Sequence, residues 1–278
     1  MRLAISNIAW ERDDDSAVSH LLQRLQIDAI DVAPGKYFPD PATATEAQIT
    51  QVRRWWRARG IEITGMQSLL FGTTGLNLFA GADSQAAMLK HLTAVCRIGA
   101  GLGARRLVFG SPKNRDRRGL DDTQALAIAT GFFRELGDIA HDYGVTVCLE
   151  PNPARYGANF MLNSLETAHV VRHVAHSAIR MQLDTGALTI NDEDPAKVLH
   201  ECADLIGHVH ASEPDLVTLG DGATDHPRVL SALRGYLPHH VVTVEMLTQA
   251  HEPPLQAIER ALLTATRHYR HHDSGVRA

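Results

Sequence analysis

Cysteine is scarce in this sequence, and long apolar runs are absent. Only three cysteines occur among 278 residues, at positions 96, 148 and 202. They are odd in number and widely spaced, and no Cys-x-x-Cys pair is present, which argues against a disulfide framework and a zinc–thiolate motif. No apolar run approaches the roughly 20 residues of a membrane span. The first fifteen residues turn acidic too soon for a signal peptide. We therefore expect reduced core cysteines in a cytoplasmic protein that does not engage a membrane.

An excess of basic residues is also missing. The formal net charge is −5 and the pI is about 6.3, which argues against a surface that coats nucleic acid. No linker rich in Pro, Gly or Ser interrupts the chain, and 44% of the residues are hydrophobic, enough to form a core. We expect a single domain over residues 1–270, followed by a polar tail over 271–278.

Four apolar stretches end in side chains that can bind a metal. In each stretch the residues alternate in character, as in a strand whose two faces differ. Val147 and Leu149 share one face of the first stretch, and Glu150 lies on the other face and closes the strand before two prolines. The four polar residues are predicted to close their strands in the same phase. The stretches are 145–152 (VTVCLEPN, Glu150), 180–186 (RMQLDTG, Asp184), 206–212 (IGHVHAS, His210) and 241–246 (VVTVEM, Glu245).

Strand patterns alternate with helical patterns along the whole chain. Positions 150, 184, 210 and 245 are 34, 26 and 35 residues apart, which is about one strand–helix unit each. Eight such units predict a single (β/α)8 TIM barrel, in which the carboxyl ends of the strands meet at one mouth. A doubly wound open sheet is the alternative, but no Gly-x-Gly-x-x-Gly follows the first strand. The other predicted strands are 3–8, 29–34, 61–69 and 105–112, and the predicted helices are 14–25, 45–60, 83–101, 123–143, 165–173, 195–202, 227–237 and 254–269, with capping boxes at Thr45 and Asn163.

Three carboxylates that converge in a buried mouth repel one another unless a positive charge compensates them. Oxygen ligands with one histidine favour Mn²⁺, with Mg²⁺, Co²⁺ or Zn²⁺ as alternatives. We expect one divalent ion, bound by Glu150, Asp184, His210 and Glu245. The ion would polarise a substrate carbonyl or hydroxyl, and the two glutamates, three strands apart, would transfer protons on opposite faces of the neighbouring carbon. His208 points the same way one layer deeper, and we interpret it as supporting the site.

The motifs LEPN, LDTG, HVHASE and VEM resemble the xylose isomerase-like barrel superfamily of sugar and sugar-phosphate isomerases and epimerases. The resemblance extends from residue 3 to about residue 270. It implies the same four metal ligands and, as in the ketose 3-epimerase branch, proton transfer by Glu150 and Glu245. This chain differs from those epimerases at two substrate-binding positions. They usually carry a substrate-binding His where this chain has Ala187, and an Arg where it has Leu216. The second-metal Asp-x-Asp of xylose isomerases and the extra histidine ligands of the endonuclease branch are also missing.

Other polar residues at strand ends and in the following loops are candidates for substrate contacts. Four cations, Lys113, Arg115, Arg117 and Arg118, follow the fourth strand and form either a solvated loop or an anion clamp. Because cations beside a metal site would recruit an anion, we expect a phosphorylated, nucleotide-linked or carboxylated sugar. The candidates for contacts with sugar hydroxyls are Asn7, Gln67, Ser111, Asn152, Glu213 and His226, with Tyr156 in the wall of the pocket.

Three functions are compatible with these features. The first is a metal-dependent isomerase or epimerase of a sugar or sugar-like hydroxy-carbonyl substrate. The second keeps the metal but eliminates water, as dehydratases and lyases of the same superfamily do. The third is a non-catalytic barrel that binds a small molecule. In each case the expected partner is a small sugar-like molecule and not nucleic acid, while a homo-oligomer stays open.

Overall fold

Eight parallel strands form a closed barrel in the computed structural model, which describes residues 1–270. The strands pair in chain order, and the last strand closes the barrel against the first. The predicted (β/α)8 fold is therefore confirmed, although most strands are shorter than predicted. The polar tail predicted over 271–278 lies outside the described residues. The strands are β1 (Arg2–Ser6), β2 (Ala29–Val32), β3 (Glu62–Met66), β4 (Arg106–Phe109), β5 (Thr146–Leu149), β6 (Ile179–Asp184), β7 (Ile206–Ser212) and β8 (Val241–Glu245).

Helices connect successive strands and surround the barrel. Eight helices lie where the sequence predicts them, within one or two residues at most ends. A short additional helix follows β6 directly, and the pattern missed it because Asp184 both ends that strand and caps the helix through its side chain. The described α-helices are α1 (Asp15–Arg24), α2 (Glu46–Arg57), α3 (Ala82–Leu102), α4 (Asp122–Asp142), α5 (Ser164–Val174), α6 (Thr185–Ile190), α7 (Pro195–Cys202), α8 (His226–Tyr236) and α9 (Pro254–Tyr269).

The two predicted capping boxes differ in the structure. Thr45 caps α2 with both reciprocal hydrogen bonds, so that box is confirmed. At α5 the Asn163 side chain accepts from the Glu166 N–H, but the Glu166 carboxylate accepts from the N–H of Leu162 instead of that of Asn163. The second box is therefore only half formed, although the helix begins where its cap predicts.

Two of the four polar strand ends also differ in detail from the prediction. Glu150 follows β5 by one residue, yet its N–H still donates to the Phe109 carbonyl at 3.1 Å, so β4 holds it in line with the sheet. His210 lies two residues before the end of β7, because the pairing with β8 continues to Ser212. Both residues nevertheless stay at the carboxyl end of the barrel.

Apolar side chains fill the layer between the barrel and its helices. Val147 and Leu149 of β5 are buried in this layer, as their alternation predicts. All three cysteines are buried free thiols, as expected. Inside the barrel, by contrast, lie polar residues such as Asp31, which is completely buried. None of the helices within residues 1–270 combines the length and hydropathy needed for a membrane crossing.

Candidate metal centre at the carboxyl end of the barrel

The structure brings together the four residues that the sequence singled out as metal ligands. Glu150, Asp184, His210 and Glu245 each offer one ligand atom, and these atoms all lie within 4.8 Å of one another. The imidazole Nδ1 of His210 lies 3.1 Å from Glu245 Oε2 and 3.7 Å from Glu150 Oε1. Asp184, His210 and Glu245 are buried, and Glu150 is only slightly more exposed. Four consecutive strands of the barrel thus converge on one point.

Neighbouring groups hold each carboxylate in place. Asp184 accepts from the Ala187 N–H at 2.7 Å and from the Ser212 hydroxyl at 2.7 Å. Its side chain is therefore fixed by the helix that it caps and by the strand beside it. Because both bonds lie within the barrel mouth, the aspartate cannot rotate away from the other ligands without losing them.

The two glutamates accept hydrogen bonds from amide side chains that were predicted from the sequence to contact the substrate. The Gln67 side-chain amide donates to Glu245 Oε1 at 2.6 Å, and that of Asn152 donates to Glu150 Oε2 at 3.1 Å. The carbonyl oxygens of both amides, Gln67 Oε1 and Asn152 Oδ1, are buried and have no hydrogen-bond partner among the described residues. Each amide therefore orients a glutamate and keeps an acceptor available beside it.

The charges of the cluster are unbalanced. Burial, Glu245 and Glu150 together raise the pKa of Asp184 to about 7. Burial opposes the charge of Glu245 as well, but its contact with His210 lowers the pKa of that carboxyl overall. The pKa of His210 is raised well above its ordinary value, since the two glutamates outweigh the effect of burial. Three carboxylates and one imidazole this close together, with shifted pKa values at Asp184, Glu245 and His210, suit a divalent cation.

A second buried layer lies directly below the four ligands. Nε2 of His208 lies 2.7 Å from Asp31 Oδ2, and the hydroxyl of Thr243 donates to the same oxygen at 3.0 Å. Gln182 joins the layers: when its amide donates to His208 Nδ1 at 3.0 Å, its oxygen accepts from the His210 N–H at 3.2 Å. His208 therefore supports the site from below, in line with its interpretation from the sequence, whereas Asp31 and Gln182 were missed.

A cavity of about 210 Å³ opens onto the cluster. Ser111 and Lys113 line it together with Gln67 and both glutamates. The Ser111 hydroxyl donates to Asn114 at 2.6 Å, and the Lys113 ammonium is exposed, 3.5 Å from a loop carbonyl. The cavity thus combines carboxylates, an amide, a hydroxyl and one cation, which are groups that can bind a small polar molecule.

Asn7 and Tyr156 also make contacts within the protein. Asn7 is buried, and its side-chain oxygen accepts from the Ala33 N–H at 2.7 Å, which ties the end of β1 to the end of β2. The Tyr156 hydroxyl accepts from the Asp215 N–H at 2.7 Å and is partly exposed. The structure therefore gives both residues a role in fixing loops at the mouth.

The assignment of Glu213 and His226 to the substrate is not supported by their positions. Both are buried, and Glu213 Oε1 contacts His226 Nε2 at 2.9 Å while accepting from the Gly220 N–H at 2.9 Å. The other carboxylate oxygen accepts from the Thr224 N–H, and His226 Nδ1 contacts the Tyr269 hydroxyl at 2.6 Å. Their polar atoms are used to hold the loop after β7 against the last helix, so they are not free for a sugar.

The four predicted cations after β4 do not form one clamp. The Arg115 side chain is completely buried and donates to the Glu150 carbonyl at 2.7 Å, so it lies behind the glutamate and not in the cavity. Arg117 is paired with Asp122 on the surface. Arg118 is exposed and does not line the cavity. Only Lys113 contributes a cation to the cavity wall, which corrects the prediction of a clamp of four.

The barrel and its acidic centre define a class of protein. The chain belongs to the family of xylose isomerase-like TIM barrels, whose model matches residues 20–266. This membership confirms the resemblance that the strand-end motifs indicated. Among curated proteins, no relative is detected by sequence.

Solved structures with the same barrel include several sugar epimerases. A D-psicose 3-epimerase with D-fructose is 18% identical, with a TM-score of 0.81 over 96% of this chain and 99% of that chain. The 3-keto-D-glucoside 4-epimerase from E. coli is 19% identical, with a TM-score of 0.76 over 95% and 98%. The IolI protein with a zinc atom is 15% identical, with a TM-score of 0.74 over 98% and 100%. At these identities the similarity shows the shared fold.

Proposed function

We propose that this protein is a divalent-metal-dependent isomerase or epimerase of a sugar or sugar-like hydroxy-carbonyl compound. The observation that carries the proposal is the convergence of three carboxylates and one imidazole within 4.8 Å at the mouth of the barrel. Active sites of this fold lie at that end. Membership of the xylose isomerase-like family and the similarity to structures named as sugar epimerases support the same reaction class.

Glu150, Asp184, His210 and Glu245 would hold the metal, with Mn²⁺ as the proposed ion. When bound, a divalent cation makes the hydrogen beside a carbonyl or hydroxyl more acidic by drawing electron density from that oxygen. Elemental analysis of protein purified without chelator should find about one equivalent per chain. Wild-type metal content in an Asp184→Ala/His210→Ala double variant would exclude this ligand set.

The two glutamates would move the proton. Both line the cavity, and they come from strands β5 and β8, which are three strands apart in the barrel. His210 and Gln67 favour the charged form of Glu245. One glutamate would remove a proton from the substrate carbon and the other would return one to its opposite face. Glu150→Gln and Glu245→Gln keep an oxygen but remove the base, so each rate should fall by roughly 10²–10⁴. Solvent deuterium should enter the product at that carbon, and its absence would indicate a hydride shift.

Elimination of water is the alternative reaction that the same site could support. Abstraction of a proton beside a carbonyl is its first step too, so the glutamate variants cannot separate the two. Product mass does separate them, since epimerisation leaves the mass unchanged and elimination lowers it by one water. A binding protein without activity would retain ligand affinity and release no altered product.

Lys113 is the residue through which an anionic substrate would be recognised. Its ammonium group is exposed at the cavity that contains Glu150 and Glu245. If the substrate carries a phosphate or carboxylate, Lys113→Ala should raise KM, and the penalty should shrink at high salt. Arg118→Ala is the matched control, because that side chain is exposed on the same loop outside the cavity. An equal response of both variants, or of neither, would indicate a neutral sugar.

A further inference from the structure

A second cavity, of about 560 Å³, opens at the other end of the barrel. Its walls come from the first residues of β3, β4, β7 and β8 and from the facing sides of α2 and the end of α3. It reaches inward to His208, which lies below the metal centre. The proposed reaction uses none of the residues at its rim.

Four arginines concentrate positive charge in this cavity. Arg53, Arg57, Arg105 and Arg106 line it, and the acidic residue in the lining is Glu62, which is already paired with Arg2 at 2.7 Å. Within residues 1–270, none of the four arginines forms an ion pair with a carboxylate. A chain with a net charge of −5 therefore leaves four lining cations uncompensated at one place.

Backbone carbonyls orient three of these four side chains without neutralising them. Arg105 Nη1 donates to the Gly144 carbonyl at 2.8 Å, and Arg106 Nε donates across the barrel to the Gly207 carbonyl at 2.9 Å. Arg53 Nη1 lies 3.5 Å from the Gly101 carbonyl. Each guanidinium keeps further N–H groups, because it carries five donors in a planar fork.

The pKa of a neighbouring histidine is affected by the positive charge in this cavity. His240 lines the same cavity, and its pKa is lowered by burial and, in addition, by Arg106, His208 and Arg180. Besides burial, the positive charges of Arg106 and Arg180 therefore disfavour a proton on His240. An anion would be favoured for the same electrostatic reason.

We propose that this cavity binds a small phosphate-bearing anion, either inorganic phosphate or a phosphate monoester. Guanidinium forks match the geometry of phosphate oxygens and bind them through paired, charge-assisted hydrogen bonds. A volume of about 560 Å³ lies within the usual range for small-molecule sites. The concave shape suits a compact anion better than an extended nucleic-acid backbone or a flat membrane surface. Within residues 1–270, the arginines at its rim donate no hydrogen bond to the four candidate metal ligands at the opposite end.

Calorimetric titration with inorganic phosphate, and separately with glucose 6-phosphate, tests this proposal. An Arg53→Gln/Arg57→Gln variant should bind at least about tenfold more weakly than the wild type, because two charge-assisted contacts are lost. Arg54→Gln is the matched control, since Arg54 is exposed on the same helix but does not line the cavity. Lys113→Gln controls for phosphate that binds at the metal end. Arg54→Gln should bind as the wild type does, and in Lys113→Gln the binding event that the double arginine variant weakens should persist.

Tighter binding of glucose 6-phosphate than of phosphate would assign the site to an ester, and the reverse order would assign it to the free ion. Three results would overturn the proposal: no heat of binding at millimolar phosphate, equal weakening in Arg54→Gln, or weakening in Lys113→Gln alone. The arginines tested are exposed, so the variants should fold, and unchanged thermal unfolding would establish that the loss concerns binding. Should the double variant unfold, Arg105→Gln provides the same test from the residue before β4.

Discussion

A single methyl group at position 110 should disable the metal centre without unfolding the barrel. Gly110 lies directly after β4, beside the carboxylate of Glu150. A Cβ on residue 110 would lie 1.9 Å from Glu150 Oε2 and 2.9 Å from its Cδ. Real Cβ atoms essentially never approach another heavy atom closer than 3.0 Å. In Gly110→Ala the carboxylate oxygen must therefore move by about 1.1 Å or more.

That displacement is large for a metal ligand. Ligand distances are defined to about 0.2 Å, and a misplacement of about 1 Å at a reacting group can cost roughly 10²-fold in rate. The movement also separates Glu150 from the Asn152 amide, which lies 3.1 Å from the same oxygen. We expect Gly110→Ala to lose most of its bound metal and to react at least about 10²-fold more slowly. Elemental analysis and steady-state kinetics on the purified variant measure both effects.

Gly131→Ala is the matched control for the added methyl group. Gly131 is exposed in α4, and no neighbouring atom lies within 4 Å of the place that a Cβ would take. Alanine should therefore fit there and stabilise the helix by about 0.5–1 kcal/mol. Circular dichroism should show the same fold for both variants. If Gly110→Ala keeps wild-type metal content and rate, then the carboxylate of Glu150 does not need its place beside Gly110 to bind the metal.

Three further predictions concern the buried polar groups. Asp31→Ala should lower the free energy of unfolding by about 2–6 kcal/mol, because the buried His208 and Thr243 side chains lose their acceptor at about 1–3 kcal/mol each. Asp28→Ala, in an exposed pair, should cost less than about 1 kcal/mol. Burial opposes the charge of Asp31, but contact with His208 lowers the pKa of this carboxyl overall. The stabilisation by Asp31 should therefore be fully present above the pKa of the unfolded chain, about 4. It should be lost as the pH falls through the lower pKa of the folded protein. Glu213→Ala should speed proteolysis of the loop after β7, since three N–H or imidazole donors lose their acceptor. Arg115→Met should leave KM within about twofold of the wild type, because the guanidinium is outside the cavity.

Denaturant unfolding at several pH values, limited proteolysis and kinetics measure these three effects. Equal costs for Asp31→Ala and Asp28→Ala would mean that the interior pair is not formed. A loop that is cleaved no faster in Glu213→Ala would show that it is held by other contacts. A large rise in KM for Arg115→Met would return that arginine to the substrate cavity, as the sequence prediction had it.

The strand-end pattern predicted the convergence of the four candidate ligands because this convergence depends on local geometry. Side chains alternate along a strand, and parallel strands end at the same mouth, so residues in one phase on consecutive strands must converge. Glu150 and His210 show that a small error in strand position does not prevent this convergence. Each is displaced by one or two residues from its predicted place in the strand, yet both reach the cluster.

The polar contacts were predicted less well because they depend on residues distant in the chain. Glu213 and His226 look like mouth residues in sequence, but His226 contacts Tyr269, 43 positions later, and Glu213 contacts His226. Asp31 lies within a short apolar strand and gives no local sign of its partner His208, 177 positions later. Arg115 follows a strand end but folds under it. A pattern of local periodicity contains no information on such pairings.

Helix N-terminal ends alone cannot balance the negative charge of the three carboxylates at the mouth. In this fold the helices run against the strands, so their positive N-terminal ends lie at the mouth with the carboxylates. Asp184 uses such an end directly, because it caps α6, a contact worth about 1 kcal/mol. Each pair of carboxylates within 4.8 Å repels by about 3 kcal/mol or more at an effective dielectric constant near 20. A protonated His210, within the same 4.8 Å of all three acids, would offset repulsion of this size, but the cluster would still carry two net negative charges. Because burial penalises uncompensated charge, full ionisation of the three acids is favoured by a further positive charge between them.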